Sequence, residues 1–308
     1  MKTIGITGGT GLIGKHLSAL LTAKGLQVII FTRRMSLKKA PRGMSYAHWD
    51  ETRKECDLAA LRQLDAMVHL AGAGVADKRW TDKRKQEITD SRVKGTRFLV
   101  DLLREHGDKC KTFIAASATG YYGPYHPSDE PFTENAAPYT DFLAATCRDW
   151  EAESHKAEAF ARTVILRFGI VLGKESGAFP QFAQPVSLGV APVLGLGNQV
   201  ISWIEVDDLA RLISFAIEQP HVKGIYNAVT PDRVTQRGLI KAIATAKGGY
   251  RLPVHVPATL LKILLGELST EVLKSCAVSA DKIIKAGFTF RHPHIDGAVK
   301  AILKPEKA

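Results

Sequence analysis

The chain opens with two hydrophobic rhythms in succession. Thr3 to Thr7 is a short apolar run with strand character, Gly8-Gly9-Thr10-Gly11-Leu12-Ile13-Gly14 interrupts it, and apolar positions then recur at helical spacing through about Lys24. A second strand pattern, Gln27 to Thr32, follows at once. Further strand patterns occur at Met44–Trp49, Ala66–Leu70, Thr112–Ala116 and Thr163–Phe168, with helical stretches between them. Strands that alternate with helices predict a parallel sheet covered on both faces. After Gly173 the texture changes: Gly177, Pro180, Pro185, Gly189, Pro192, Gly195 and Gly197 exclude a single continuous helix. A helix is predicted from Val206 to about Ile217, a short strand at Ile225–Asn227, and another helix over Thr235–Lys247. The C-terminal stretch reads as mostly helical, with a compact tail at Ala286-Gly287-Phe288-Thr289-Phe290. The pattern therefore divides into an α/β domain over residues 1–172, to which the chain returns around 200–228, and a smaller substrate lobe over 173–308 that includes a helical domain at 250–300.

Composition changes this picture little. With 308 residues, 45% of them hydrophobic and 24% charged, the chain can bury a large core and is not dominated by disorder. Cys56, Cys110, Cys147 and Cys276 lie far apart without a Cys-x-x-Cys spacing, which argues against a zinc site or a disulfide framework. The first residues enter a strand pattern without a charged leader, and no apolar run approaches the roughly 20 residues that span a bilayer. A cytoplasmic protein with no membrane partner is expected. The net charge of +11 raises the question of nucleic acid, but the bases are scattered. Arg33-Arg34 with Lys38-Lys39, and Lys78 to Lys85, are short groups without interleaved aromatics. They read as solvated surface plus a phosphate-binding site, so a small molecule is expected as partner and nucleic acid is not.

The glycine stretch carries the chemistry. Gly8, Gly11 and Gly14 lie between a strand and a helix, where the first permits a tight turn, the second lets backbone N–H groups approach a pyrophosphate, and the third lets helix and strand pack closely. The helix start adds unpaired donors and a positive dipole end. These positions, with Thr10, Leu12 and Ile13, are the expected cradle of a dinucleotide, and the fold class they imply is a Rossmann-type doubly wound sheet with a smaller, mostly helical lobe. At the end of the second strand an NAD-selective site places Asp or Glu. This chain places Arg33-Arg34, which points to the 2′-phosphate of NADP(H), with Arg33 as the leading contact; two solvated arginines at a strand end is the plain alternative. Trp49-Asp50 and Leu70-Ala71-Gly72 close the third and fourth strands, where cofactor contacts are also expected, and Arg92 is expected to contact the cofactor as well.

These segments, together with Ser117-Ala118-Thr119-Gly120-Tyr121-Tyr122-Gly123, Leu166-Arg167-Phe168-Gly169 and Ile204-Glu205-Val206-Asp207-Asp208, resemble the extended short-chain dehydrogenase/reductase superfamily. Arg79-Trp80, Ser91-Arg92-Val93-Lys94-Gly95-Thr96 and Cys147-Arg148-Asp149-Trp150-Glu151 are similar to its atypical subgroup of epimerase family proteins, as is the stretch from Pro257 to Phe290. The resemblance implies catalysis by Ser, a Tyr-x-x-x-Lys pair and a supporting Asn. Here the tyrosine and lysine positions fall on Leu143 and Cys147, the Asn position on Arg92, and no other Tyr-x-x-x-Lys exists in the chain; Ser117 survives. In the superfamily, outer helices often pair, so a homodimer is compatible with the resemblance.

Candidate replacements follow from position. Tyr121 is the candidate acid/base beside Ser117, or else packs loop against helix. Cys147 is either a thiolate or a small buried hydrophobe, and Trp150 reads as core. Tyr122, Arg167 and Trp203 are candidate substrate contacts; for Arg167, an ion pair to Asp207 or Asp208 explains the residue equally well. Two functions remain open. One is an NADP(H)-dependent oxidoreductase or epimerase acting on a small polar compound, and the other is a non-catalytic NADP(H)-responsive binding protein. Nucleic-acid binding ranks below both.

Overall fold

The computed structural model describes residues 2–33 and 40–304. The first half runs β1 (Thr3–Thr7), α1 (Leu12–Ala23), β2 (Gln27–Thr32), β3 (Met44–Asp50), β4 (Glu55–Cys56), α2 (Leu58–Leu61), β5 (Ala66–His69), α3 (Asp82–His106), β6 (Thr112–Ala118), α4 (Phe142–His155) and β7 (Arg162–Phe168). It continues through β8 (Ile170–Leu172), α5 (Ala178–Ser187), β9 (Val190–Leu194), β10 (Val200–Ile201), β11 (Trp203–Glu205), α6 (Val206–Glu218), β12 (Gly224–Ala228) and β13 (Val234–Thr235). The chain ends with α7 (Gln236–Lys247), β14 (Leu252–Val256), α8 (Ala258–Leu265), α9 (Leu268–Leu273), α10 (Asp281–Lys285) and α11 (Ile295–Leu303).

The main sheet has the order β12-β7-β6-β5-β1-β2-β3-β4 and is parallel except for the antiparallel edge strand β4. Strand periodicity divides its side chains between two cores. Val28 and Ile30 join Leu17 and Leu21 of α1 and Leu209 and Ile213 of α6 on one face. Ile29 and Phe31 join Leu99, Val100 and Leu103 of α3 on the other. The strand order reverses direction between β1 and β5, so their carboxyl ends leave a crevice, the place where ligands bind in such sheets.

The chain leaves this sheet after β7 and returns with α6 and β12. A third core unites Phe179 of α5, Leu239 and Ile243 of α7 and Val299 of α11. This smaller lobe is mostly helical and carries a parallel pair of strands, β9 and β14. It also contains a ten-residue helix, α5, despite two prolines. Pro180 lies in the first turn, where the backbone N–H has no helical acceptor in any case, and Pro185 lies close to the end, which limits the cost to one internal bond. Among the described residues no helix is long and apolar enough to cross a membrane.

Two clasps fix the last fifty residues onto the sheet. Asp208 is fully buried at the start of α6 and accepts the backbone N–H groups of Arg291 and His292. Residues 275–279 form a strap: Cys276 N–H donates to Val200 O, Phe132 N–H donates to Ala277 O, and the Ser202 hydroxyl donates to Cys276 O. Arg162 secures α6 from the other end, donating to the carbonyls of Ala216, Ile217 and Val222. Arg162→Met strips three acceptors of a charged donor and is expected to lower unfolding free energy by roughly 1–3 kcal/mol, measured by urea denaturation. An unchanged midpoint would show that water replaces the guanidinium without loss.

Candidate functional site

The glycine loop takes its shape from how closely backbone must approach backbone. Gly8 has φ +70°, and a Cβ there would stand 2.8 Å from the Leu70 carbonyl carbon. A Cβ at Gly14 would lie 2.4 Å from Gly9 Cα. Gly8 and Gly14 are therefore packing glycines. Gly11 differs: it begins α1 with ordinary φ (−78°), and a Cβ there meets only Gly8 O, at 3.3 Å. No side chain caps α1, so the first N–H groups of the helix stay available.

Below the loop a histidine holds β1 to β5 and α3. The Thr7 hydroxyl shares a 2.6 Å hydrogen bond with His69 Nδ1 and accepts the Ala71 N–H, while His69 Nε2 meets the Thr96 hydroxyl at 3.0 Å. His69 is fully buried, and burial pushes its pKa down to about 4. The ring is neutral at pH 7, with one nitrogen donating and the other accepting.

Two cavities open from this loop. The larger, about 1,020 Å³, is bounded by Thr10, Arg33, Trp49, Ala71 and Gly72. The smaller, about 700 Å³, is bounded by Leu12, Ile13, Gly14, Thr119, Gly120 and residues of the second lobe. Gly8, Gly11 and Leu70 border both, so the two form one cleft over the crevice between β1 and β5. The arrangement fits a dinucleotide: glycine backbone at the centre, an uncapped helix start, and Arg33 at the far end of the larger cavity. The Arg33 side chain is 63% exposed and stands 3.8 Å from Glu51. Arg34 lies outside the described residues.

Asp50 is not on the cavity wall. Its carboxylate accepts the N–H groups of Thr52 and Arg53, which closes a turn and lowers its pKa against the opposing effect of desolvation. Arg92 also points away: its guanidinium donates to Ala73 O and Ile88 O and stacks over Trp150, 5.2 Å from the ring. It supports the wall from behind. Sequence reasoning missed Glu51, whose Oε2 is buried and unpartnered, and Lys54, Lys78 and Lys94 around the larger cavity. It also missed Glu271 and Lys274 in the smaller cavity. No local motif marks them.

The presumed catalytic and substrate side chains form an internal network instead. Ser117 is 2% exposed and its hydroxyl donates to Glu151 Oε1 at 2.6 Å. Arg167, 1% exposed, donates to both oxygens of Glu151 at 2.8 Å and to the Tyr122 hydroxyl. Its partner is thus Glu151, not Asp207 or Asp208. Tyr122 donates onward to Asn227 at 2.6 Å, and burial pushes its pKa up, away from any acid/base role near neutrality. Tyr121 lies against Arg167, 3.5 Å from guanidinium to ring centre. Trp203 is fully buried in the core of the second lobe. None of Ser117, Tyr121, Tyr122, Arg167 or Trp203 borders the cleft.

Residues 4–228 match the model of the NAD dependent epimerase/dehydratase family, and residues 256–302 match a domain of unknown function. The chain belongs to the NAD dependent epimerase/dehydratase family. An epimerase family protein of Bacillus subtilis, YfhF, is 35% identical over 99% of both chains. Another, of Mycobacterium tuberculosis, is 34% identical over 96% of both. Among solved structures, human epimerase family protein SDR39U1 with NADPH shares 27% identity and a TM-score of 0.86, covering 97% of this chain and 98% of that one. A nucleoside-diphosphate sugar epimerase of Corynebacterium glutamicum shares 31% identity with a TM-score of 0.75; the match covers 97% of this chain and 57% of that one. The protein is an atypical short-chain dehydrogenase/reductase, and nucleotide-cofactor binding follows from the family.

At the two positions where the resemblance implies tyrosine and lysine, the structure places core side chains. Leu143 packs on Gly120 and beside Trp80, and Cys147 is buried with its thiol pushed up to about 12 by desolvation. It is a core residue, not a thiolate.

Two outcomes follow. Gly11→Ala is expected to fold normally yet lose cofactor affinity, whereas Gly14→Ala is expected to destabilise the fold, because its Cβ collides with backbone. Isothermal titration and urea denaturation separate them, and equal behaviour of the two variants would contradict the division of roles. For His69, protonation is resisted in the folded state but not in the unfolded one. Stability from this group is complete above pH 6.5 and is lost as pH falls toward 4, about 3 kcal/mol in total. Measured as wild type minus His69→Gln, the difference is expected to shrink across that window; a flat difference would show that the buried ring accepts the proton.

Proposed function

We propose that the protein is an NADP(H)-dependent oxidoreductase that acts on a small molecule held in the smaller cavity. The observation that carries this reading is the single cleft: two cavities of about 1,020 and 700 Å³ joined at Gly8, Gly11 and Leu70. One is sized for the adenosine end of a dinucleotide and the other for its reactive end together with a ligand. The α1 N–H groups hold the pyrophosphate, and Arg33 pairs with the 2′-phosphate. When bound, the nicotinamide supplies or removes a hydride, the chemistry common to dehydrogenases and sugar-nucleotide epimerases. The apolar walls of the smaller cavity exclude water from that exchange. They also favour a less polar ligand than the sequence suggests.

Mass spectrometry of small molecules released from gently purified protein tests the cofactor. NADP(H) is expected; NAD(H) alone would overturn the NADP assignment. A charge-assisted hydrogen bond contributes about 1.5–3 kcal/mol, so Arg33→Ala is expected to weaken NADPH binding roughly ten- to a hundredfold and leave NADH binding unchanged. An equal loss for both nucleotides would assign Arg33 a purely structural role.

One observation favours the second reading, a nucleotide-responsive binding protein without turnover: Ser117, Tyr122 and Arg167 are occupied by internal bonds. Stereospecific transfer of labelled hydride from NADPH to any carbonyl compound decides against it.

A further inference from the structure

The smaller cavity is walled mainly by Leu12, Ile13, Val75, Ile170, Val171 and Phe182. One charged cluster interrupts that apolar surface. Lys274 and Glu271 both border the cavity, and Lys274 Nζ donates to Glu271 Oε1 at 2.8 Å and to Asp141 Oδ2 at 3.1 Å. The Lys274 side chain is only 6% exposed. The cluster is placed from two sides: the 275–279 strap fixes Lys274, and α4 fixes Asp141, whose other oxygen accepts the Ala144 N–H as helix cap.

With one cation and two carboxylates, the fully ionised cluster carries a surplus negative charge in apolar surroundings, an arrangement that favours uptake of one proton. Asp141 is committed to the helix cap, so Glu271 is the group that takes it. Its pKa is raised by burial and by Asp141, against the lowering effect of Lys274. Lys274 titrates above its ordinary value despite desolvation, because both carboxylates hold the ammonium form. Cys276, on the same wall, stays a thiol, pushed up to about 12 by burial. Asp77 borders the cavity as well, but its side chain is 69% exposed and faces Arg84.

We propose that Glu271, held by Lys274, is the proton donor of the reaction, and that its ligand is a mostly apolar compound with one uncharged carbonyl group. The inference rests on the oxidoreductase reading above and supplies the acid that the absent Tyr-x-x-x-Lys pair leaves without a source. With NADPH bound, a hydride from its nicotinamide, left oxidised, would form the new C–H bond while the carbonyl π pair moves to oxygen. Glu271 passes its carboxyl proton to that oxygen, which completes the alcohol. The electrons of the broken O–H bond remain on the carboxylate, which Lys274 stabilises until solvent returns a proton. A carboxylate ligand would restore the surplus negative charge that the proton on Glu271 removes, and is disfavoured.

Benzamide, a carbonyl compound that takes no hydride, serves as probe. It is titrated into the NADPH-loaded full chain between pH 5 and 9, for the wild type and Glu271→Gln, with NADPH affinity measured in the same samples. For the wild type, binding is expected to weaken by about tenfold as Glu271 ionises and its donor disappears. The Gln variant keeps a donor that does not titrate, so its binding is expected to be flat with pH. Benzoate is expected not to compete. With benzaldehyde as substrate, Glu271→Gln is expected to lower kcat by about a hundredfold or more without changing NADPH affinity. Absence of benzamide binding, a pH-independent wild type, or benzaldehyde turnover unaffected by Glu271→Gln would overturn the inference while leaving the cofactor reading intact. A wild type that fails to bind NADPH would overturn both.

Discussion

The buried pair of Arg167 and Glu151 organises the carboxyl end of the sheet. Two charges removed from water carry a desolvation cost of several kcal/mol each, and only close geometry with further hydrogen bonds offsets it. Here the guanidinium reaches both carboxylate oxygens, Ser117 donates to the same carboxylate, and Tyr122 continues the chain of bonds to Asn227. Asn227 in turn donates its backbone N–H to Glu134. One network thereby joins β6, α4, β7, β12 and the loop before α4. Its members cannot be spared for a ligand, because a buried charge left without its partner is far more costly than the intact pair.

That constraint explains why Ser117, Tyr122 and Arg167 serve as framework here. Ser117 is bound to Glu151, Leu143 packs beside Trp80, Cys147 is a buried thiol, and the acid that this face of α4 does carry, Glu151, is held by Arg167. The polar groups that border the cleft come from elsewhere, among them the glycine loop, Arg33, the charged side chains around the larger cavity and the Glu271–Lys274 pair that precedes the C-terminal strap. The glycine loop and the Glu271–Lys274 pair, more than two hundred residues apart in the chain, thus border the same cavity.

What was legible in the sequence was what is local. The glycine spacing after β1, the apolar run of β2 and the acidic start of α6 each state their structure within a few residues, and the corresponding elements lie within a residue or two of expectation. The side chains misjudged were those whose role depends on distant partners. Arg167 lies at a strand end, where it could have faced either the cleft or the interior, and Glu151, sixteen residues earlier, decides the matter. Arg92 was assigned by a family position, yet its guanidinium fits the carbonyls of Ala73 and Ile88. Asp50 read as a ligand contact because the turn it closes was not visible. Lys274 and Glu271 show only an ordinary three-residue helical spacing, and nothing before Asp141 and the strap were in place could distinguish them from a solvated pair.

The border between the two family models does not coincide with a border in the hydrophobic core. Val278, Ile283, Phe288 and Phe290 belong to the same buried cluster as Ile4, Leu17 and Ile213. During synthesis the glycine loop and most of the sheet emerge early, yet one face of that sheet receives its last cover only when residues near 290 leave the ribosome. The nascent nucleotide-binding region therefore keeps apolar surface exposed until those residues have been made.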